Sequence, residues 1–212
     1  MTRKKTILLT GFGPFPGAPF NPTRPLARRL ARMQRPGLTS TKLIAHIFPT
    51  SYAAVDRDLP ELIAKHKPDA LLMFGLVPRA RFLRVETRAR NAVAILPDAG
   101  GTALSRHAIA AGEPVVLALP APTRQLLQAV RATRLPAALS RDAGRYLCNY
   151  LCWRAAEAAS ENGPRVAAFI HVPPVRRSPV PQARTKRRAF APADLARAGA
   201  QLVMVIAAAL RR

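Results

Sequence analysis

Only two cysteines occur in the 212 residues, Cys148 and Cys152, four positions apart. Two thiols cannot build a disulfide framework, and on one helix they are poorly placed to bridge each other. A cysteine-poor chain of this kind fits a reducing compartment, which predicts a cytoplasmic protein. Long apolar runs are also missing: no stretch approaches the roughly 18 residues that would span a bilayer, so no membrane association is expected. The basic start leads into an apolar run too short for a secretory signal, and then into glycine. Histidine is scarce, with four copies. No second Cys or His pair accompanies the two cysteines, so a metal site is poorly supported. Aromatic residues are 6% of the chain, and no aromatic-plus-basic platform for stacking bases is present.

Acidic residues are few as well. Eleven Asp and Glu stand against 34 Lys and Arg, a formal charge of +23. Clustered, such an excess marks a polyanion binder. Here 28 of the 34 are arginines spread along the chain beside many alanines, so nucleic acid is not the expected partner despite the charge. The densest runs are RRLARMQR, residues 28–35, which reads as the polar face of a helix, and RRSPVPQARTKRR, residues 176–188, which reads as a Pro-rich loop. A weakly active or non-catalytic protein whose basic surface binds nucleic acid or another polyanion is the competing reading.

What is present is the pattern of an α/β protein. The length suits one domain, residues 1–212, able to bury about 70% of the surface its unfolded chain exposes. Four short apolar runs, Thr6–Thr10, Leu43–Phe48, Ala70–Phe74 and Val166–His171, predict strands buried on both faces, and Val115–Leu119 predicts a fifth. Helical patterns lie between them: Pro25–Met33 after a capping Thr23, Ser51–Lys67, and Thr123–Thr133 with Thr123 as cap. In the last helix Pro192 opens the first turn. Asp194, Arg197, Gln201 and Met204 form a polar stripe, leaving Leu195, Leu202, Val203, Val205 and Ile206 to the core. Strands alternating with helices predict a three-layer α/β/α domain with a largely parallel or mixed central sheet.

Within SRDAGRYLCNYLCW, residues 140–153, Gly144 permits a tight turn and the following residues read as a helix. Cys148 falls in its first turn, where free amide groups and the macrodipole stabilise a thiolate. Cys152, one turn on, lacks that advantage and reads as core. His171 ends an apolar run, the place where α/β sheets present side chains to a ligand cleft. A Cys–His pair usually needs a third group to fix the imidazole. Glu86, in RFLRVETRARN, is the one glutamate of five outside an evidently polar surface segment, though by composition alone an ion pair with a neighbouring arginine is the better account of it.

These residues together resemble the pyroglutamyl peptidase I (pyrrolidone-carboxylate peptidase) family of cysteine peptidases. LLTGFGPFPGAPFNPT, residues 8–23, resembles the family's opening. VETRARN resembles its glutamate motif, SRDAGRYLCNYLCW its cysteine motif and FIHVPP its histidine motif, in the family's order. The resemblance implies a phosphorylase/hydrolase-like fold and hydrolysis of N-terminal pyroglutamyl residues from peptides, without metal or cofactor. It implies Cys148 as nucleophile, His171 as general base and then acid, and Glu86 as the group orienting His171. Phe12, Phe15, Thr50 and the backbone of Leu76 would border the substrate slot. It also implies assembly as a homotetramer, against which the +23 charge works. The chain departs from the family where an arginine usually precedes the PD pair: Ile95 stands there. Ala99, Pro78, Arg79 and Thr87 depart too, and Arg88 or Arg90 is the expected substitute for the missing donor.

Overall fold

The computed structural model describes residues 3–15, 17–161, 163–176 and 190–211. In chain order the elements are β1 (Lys5–Phe12), α1 (Thr23–Ala31), β2 (Thr41–Phe48), α2 (Tyr52–His66), β3 (Ala70–Leu76), β4 (Leu83–Glu86), β5 (Arg88–Arg90), β6 (Val116–Ala118), α3 (Thr123–Ala132), β7 (Ala137–Ser140), α4 (Leu147–Ser160), β8 (Val166–Val172) and α5 (Pro192–Ala209). Six strands form the central sheet in the order β2-β1-β3-β8-β4-β7. Parallel pairing runs from β2 to β8, β4 joins β8 antiparallel, and β7 lies parallel to β4. The sheet is therefore mixed, within the expected class.

Period-two alternation divides the strand residues between two cores. Ile7, Leu9, Leu72, Phe74, Leu83, Val85 and Ile170 pack against α1, α3 and α5. Leu8, Leu71, Met73 and Phe169 pack against α2 and α4. All four apolar runs read from the sequence lie in the sheet. The fifth does not: Val115–Leu119 supplies β6, which pairs only with β5 in a two-stranded ribbon beside the sheet. The sixth sheet strand, β7, is a four-residue edge in which Ala137 is buried, Leu139 exposed and the other two residues part-exposed. Among the described residues no helix is long and apolar enough to cross a membrane.

Two expected helix caps are displaced by one residue. Thr23 and Thr123 are the first helical residues, each preceded by a proline, and neither hydroxyl caps its own helix. At α1 the acceptor is Asn21, whose Oδ1 takes the Thr23 N–H at 3.1 Å. Thr23 Oγ1 instead accepts from the Phe12 amide at 3.0 Å, which ties the helix start to the end of β1. In α5 Leu195, Leu202, Val203 and Ile206 are buried as expected, while Val205 is only partly so. Apart from Arg176, the basic run at 176–188 lies outside the described residues.

Candidate active site

The ends of β1, β3 and β8 and the start of α4 meet at one edge of the sheet. Gly144, at φ 82°, turns the chain there with a conformation that glycine adopts without steric cost. Its N–H donates to Asp142 Oδ1 at 3.0 Å. Three residues later α4 begins, with Cys148 as its second residue and partly exposed. The unpaired amides of a first helical turn and the positive end of the dipole face whatever anion sits there.

His171, at the end of β8, is 3% exposed, and Glu86, at the end of β4, is fully buried. Their Nδ1 and Oε1 atoms are 2.8 Å apart. Cys148, which lines the same cleft as His171, is the other group that acts on the imidazole. Burial alone would depress the His171 pKa. The Cys148 charge and hydrogen bond, followed by those of Glu86, outweigh it and push it up to about 9. The imidazolium form is therefore favoured at neutral pH. Glu86 Oε2 has no hydrogen-bond partner among the described residues, so the protonated imidazole compensates a deeply buried carboxylate.

Cys152 is completely buried in the core under α4. Burial, then the charges of Cys148 and Glu86, push its thiol well up, which keeps it protonated. His46 lies away from the site, with Nε2 3.1 Å from Asp58 Oδ2. Among the described residues no group of three or more His, Cys, Asp or Glu could hold a metal ion.

A cleft of about 320 Å³ opens over Cys148 and His171. Phe15, Leu76, Val77 and Pro78 form an apolar side, and Arg84, Asp142 and Tyr146 a polar one. Of the four expected slot residues, Phe15 and Leu76 line this cleft. Phe12 is buried against Phe48, with ring centroids 6.0 Å apart. The Thr50 hydroxyl donates to the carbonyls of Gly13 and Pro14, both at 3.3 Å, bracing the Phe15 loop. Ile95 is 70% exposed and is not part of the cleft lining. Neither expected substitute arginine lines it: Arg88 Nε donates to the Arg141 carbonyl at 2.9 Å, and Arg90 lies 3.6 Å from Asp142. The arginine that does is Arg84.

Sequence reasoning also passed over three supporting residues. Gly75 of β3 pairs with His171, and a Cβ there would stand 2.7 Å from Cys148 Sγ. Asn149, fully buried, accepts from the Arg90 amide at 2.8 Å and donates to the Arg90 and Ala92 carbonyls at 2.8 and 3.0 Å, clamping α4 to β5. Its signal was legible, because an Asn inside an otherwise apolar helical face needs partners. Asp98 of the PD pair accepts from the Tyr52 amide at 3.1 Å and from Gly100 and Thr102 at 2.9 and 3.0 Å. It thus caps α2 from outside the helix.

The chain is similar to known proteins over most of its length. A sequence model of the pyroglutamyl peptidase family matches residues 5–208. The pyrrolidone-carboxylate peptidase of Thermococcus litoralis is 31% identical over 171 residues, 80% of this chain and 76% of the relative. That of Pyrococcus furiosus is 29% identical over 169 residues, 79% and 80% of the two chains. Among solved structures, pyroglutamyl peptidase I from Bacillus amyloliquefaciens superposes with a TM-score of 0.83 at 25% identity, covering 96% of this chain and 97% of its own. The Thermococcus litoralis pyrrolidone carboxyl peptidase gives 0.84 at 27% identity, covering 95% and 92%.

Proposed function

Because this chain belongs to the pyroglutamyl peptidase family, we propose that it hydrolyses the bond after an N-terminal pyroglutamyl residue, with Cys148, His171 and Glu86 as its catalytic group. The observation that carries the assignment is the 2.8 Å bond from His171 Nδ1 to the buried Glu86 Oε1, beside a cleft that His171 and Cys148 line together. The Cys148 thiolate attacks the carbonyl carbon, and the electron pair moves to the oxygen, which the amides at the start of α4 stabilise. His171 gives its proton to the departing amine as the C–N bond breaks, leaving a thioester. Water then attacks that thioester while His171 takes its proton, and pyroglutamate and the thiolate are released. Glu86 keeps the ring in the one orientation that serves both steps. The lactam ring, flat and uncharged, suits the apolar side of the cleft formed by Phe15, Leu76, Val77 and Pro78.

A reactive free thiol suits a reducing compartment, so the same reading places the enzyme in the cytoplasm. It also includes a homotetramer and no nucleic-acid role, which sedimentation and a salt titration of nucleic-acid binding test directly. The primary experiment is release of a fluorescent amine from a pyroglutamyl amide at neutral pH with reductant. Turnover is expected from the wild type and lost in Cys148→Ala and after alkylation. Undiminished turnover in Cys148→Ala, or none from folded wild-type protein, overturns the assignment.

A further inference from the structure

Hydrolysis as described above makes no use of Arg84, yet this side chain lines the cleft with Cys148 and His171. Its Cα is paired with that of His171 across β4 and β8. Directly opposed residues of an antiparallel pair project from one face with Cβ atoms about 5 Å apart. The guanidinium lies over the Phe82 ring, 5.5 Å from its centroid, and Nε is buried with no hydrogen-bond partner among the described residues. The acid sharing the cleft, Asp142, accepts from the Gly144 amide at 3.0 Å and sits 3.6 Å from Arg90. With Nε inaccessible, the Nη groups are the donors that Arg84 can present to an anion entering the cleft.

The strand order indicates which part of a substrate supplies it. Across β1-β3-β8-β4 the cleft passes from Phe15 after β1 and Leu76 at the end of β3, through His171, to Arg84. With the lactam ring at the Phe15–Leu76 end, the residue carrying the departing amine lies toward β4. We propose that Arg84 binds a carboxylate on the residue that follows pyroglutamate, so that the enzyme selects substrates negatively charged at that residue. The inference rests on the peptidase reading. A carboxylate can take a pair of donors from the two Nη groups, the planar fork that arginine offers and lysine lacks. The charge has two sources, the free α-carboxylate of a pyroglutamyl dipeptide or the side chain of Asp or Glu in a longer peptide.

The test compares kcat/KM for pyroglutamyl-alanine, pyroglutamyl-alanine amide and pyroglutamyl-glutamate α-amide in wild type, Arg84→Met and Arg84→Lys. The wild type is expected to favour at least one carboxylate peptide over the neutral amide by about 10- to 100-fold. The peptide favoured identifies the source of the charge. Arg84→Met should bring that ratio near one and Arg84→Lys should keep part of it, and a ratio cancels any shared loss of folded enzyme. A wild-type ratio near one, or a ratio that survives in Arg84→Met, overturns the carboxylate site while turnover of the neutral amide leaves the peptidase reading standing. Absence of turnover of every peptide overturns both.

Discussion

Replacing Gly75 by alanine tests how closely the site is packed. The added Cβ would lie 2.7 Å from Cys148 Sγ, and 2.7 and 2.8 Å from Cζ and Cε1 of Phe169. Ordinary contact is about 3.5–4 Å, so each neighbour must retreat by about 1 Å. Phe169 has no room, being fully buried and stacked edge-on against His171 with centroids 4.9 Å apart. The backbone has none either, because Gly75 is held in register with His171. The strain therefore falls on the sulfur and on the His171 ring. A 1 Å misplacement of reacting groups costs about 100-fold in rate, and overpacking of this kind about 1–3 kcal/mol in stability. At about 2–4 °C per kcal/mol for a chain of this size, Tm should fall by about 2–12 °C. The assay is kcat/KM on a pyroglutamyl amide together with thermal unfolding of Gly75→Ala, Cys148→Ala and the double variant. Removing the sulfur should relieve part of the Gly75→Ala penalty, a coupling of about 1 kcal/mol. Wild-type kcat/KM with unchanged Tm refutes the packing argument, and an equal penalty in both backgrounds refutes the part assigned to the sulfur.

Alkylation should mark Cys148 and spare Cys152, whose thiol burial pushes up, and Cys152→Ala should keep most turnover; mapping the modified residue by mass spectrometry checks this. The imidazolium of His171, raised to about 9, contributes stability in full below its unfolded value near 6.5 and loses it as pH rises through about 9. Removing the Glu86 charge in Glu86→Gln should move the alkaline limb of the pH–stability curve downward and lower kcat by about 100-fold or more, read by urea unfolding at several pH values and by initial rates. Burial works to raise the Asp98 pKa but is outweighed by hydrogen bonds from Thr102, Ser51, Tyr52 and Gly100, which hold it below the usual range. Its stabilisation is present above the unfolded value near 3.9 and lost as pH falls through the lower folded value, so Asp98→Asn should flatten the acid limb of that same curve. Asn149→Ala gives up three hydrogen bonds and should cost about 2–4 kcal/mol, with kcat falling as α4 loosens from β5.

The strongest sequence signals were those where one physical cause dominates. Continuous apolar runs marked β1, β3 and β8 because strands covered on both faces have no solvent side to encode, while the run at Leu43–Phe48 marked β2, an edge strand that is largely part-exposed rather than buried on both faces. Strand β7 escaped for the opposite reason: as a half-exposed edge of four residues it carries no run to notice. The displaced caps at Thr23 and Thr123 reflect a preceding proline, which leaves the threonine inside the first turn. Cys148 and His171 stood out by their positions at element ends, whereas Glu86 was singled out by the resemblance alone. Arg84 was not, since one arginine among 28 carries no local signal and only the cross-strand register with His171 places it in the cleft.

Strand β8 is made late in the chain yet sits between β3 and β4, both synthesised long before it. Until Val166–Val172 leaves the ribosome, the two older strands each present an open edge, and that of β3 is apolar along its whole length. An open apolar edge is a template for pairing with another chain. Fragments ending before residue 166 should therefore accumulate as aggregates, with neither a completed sheet nor His171 to make a site. Solubility and activity should appear together, as the same seven residues slide into place.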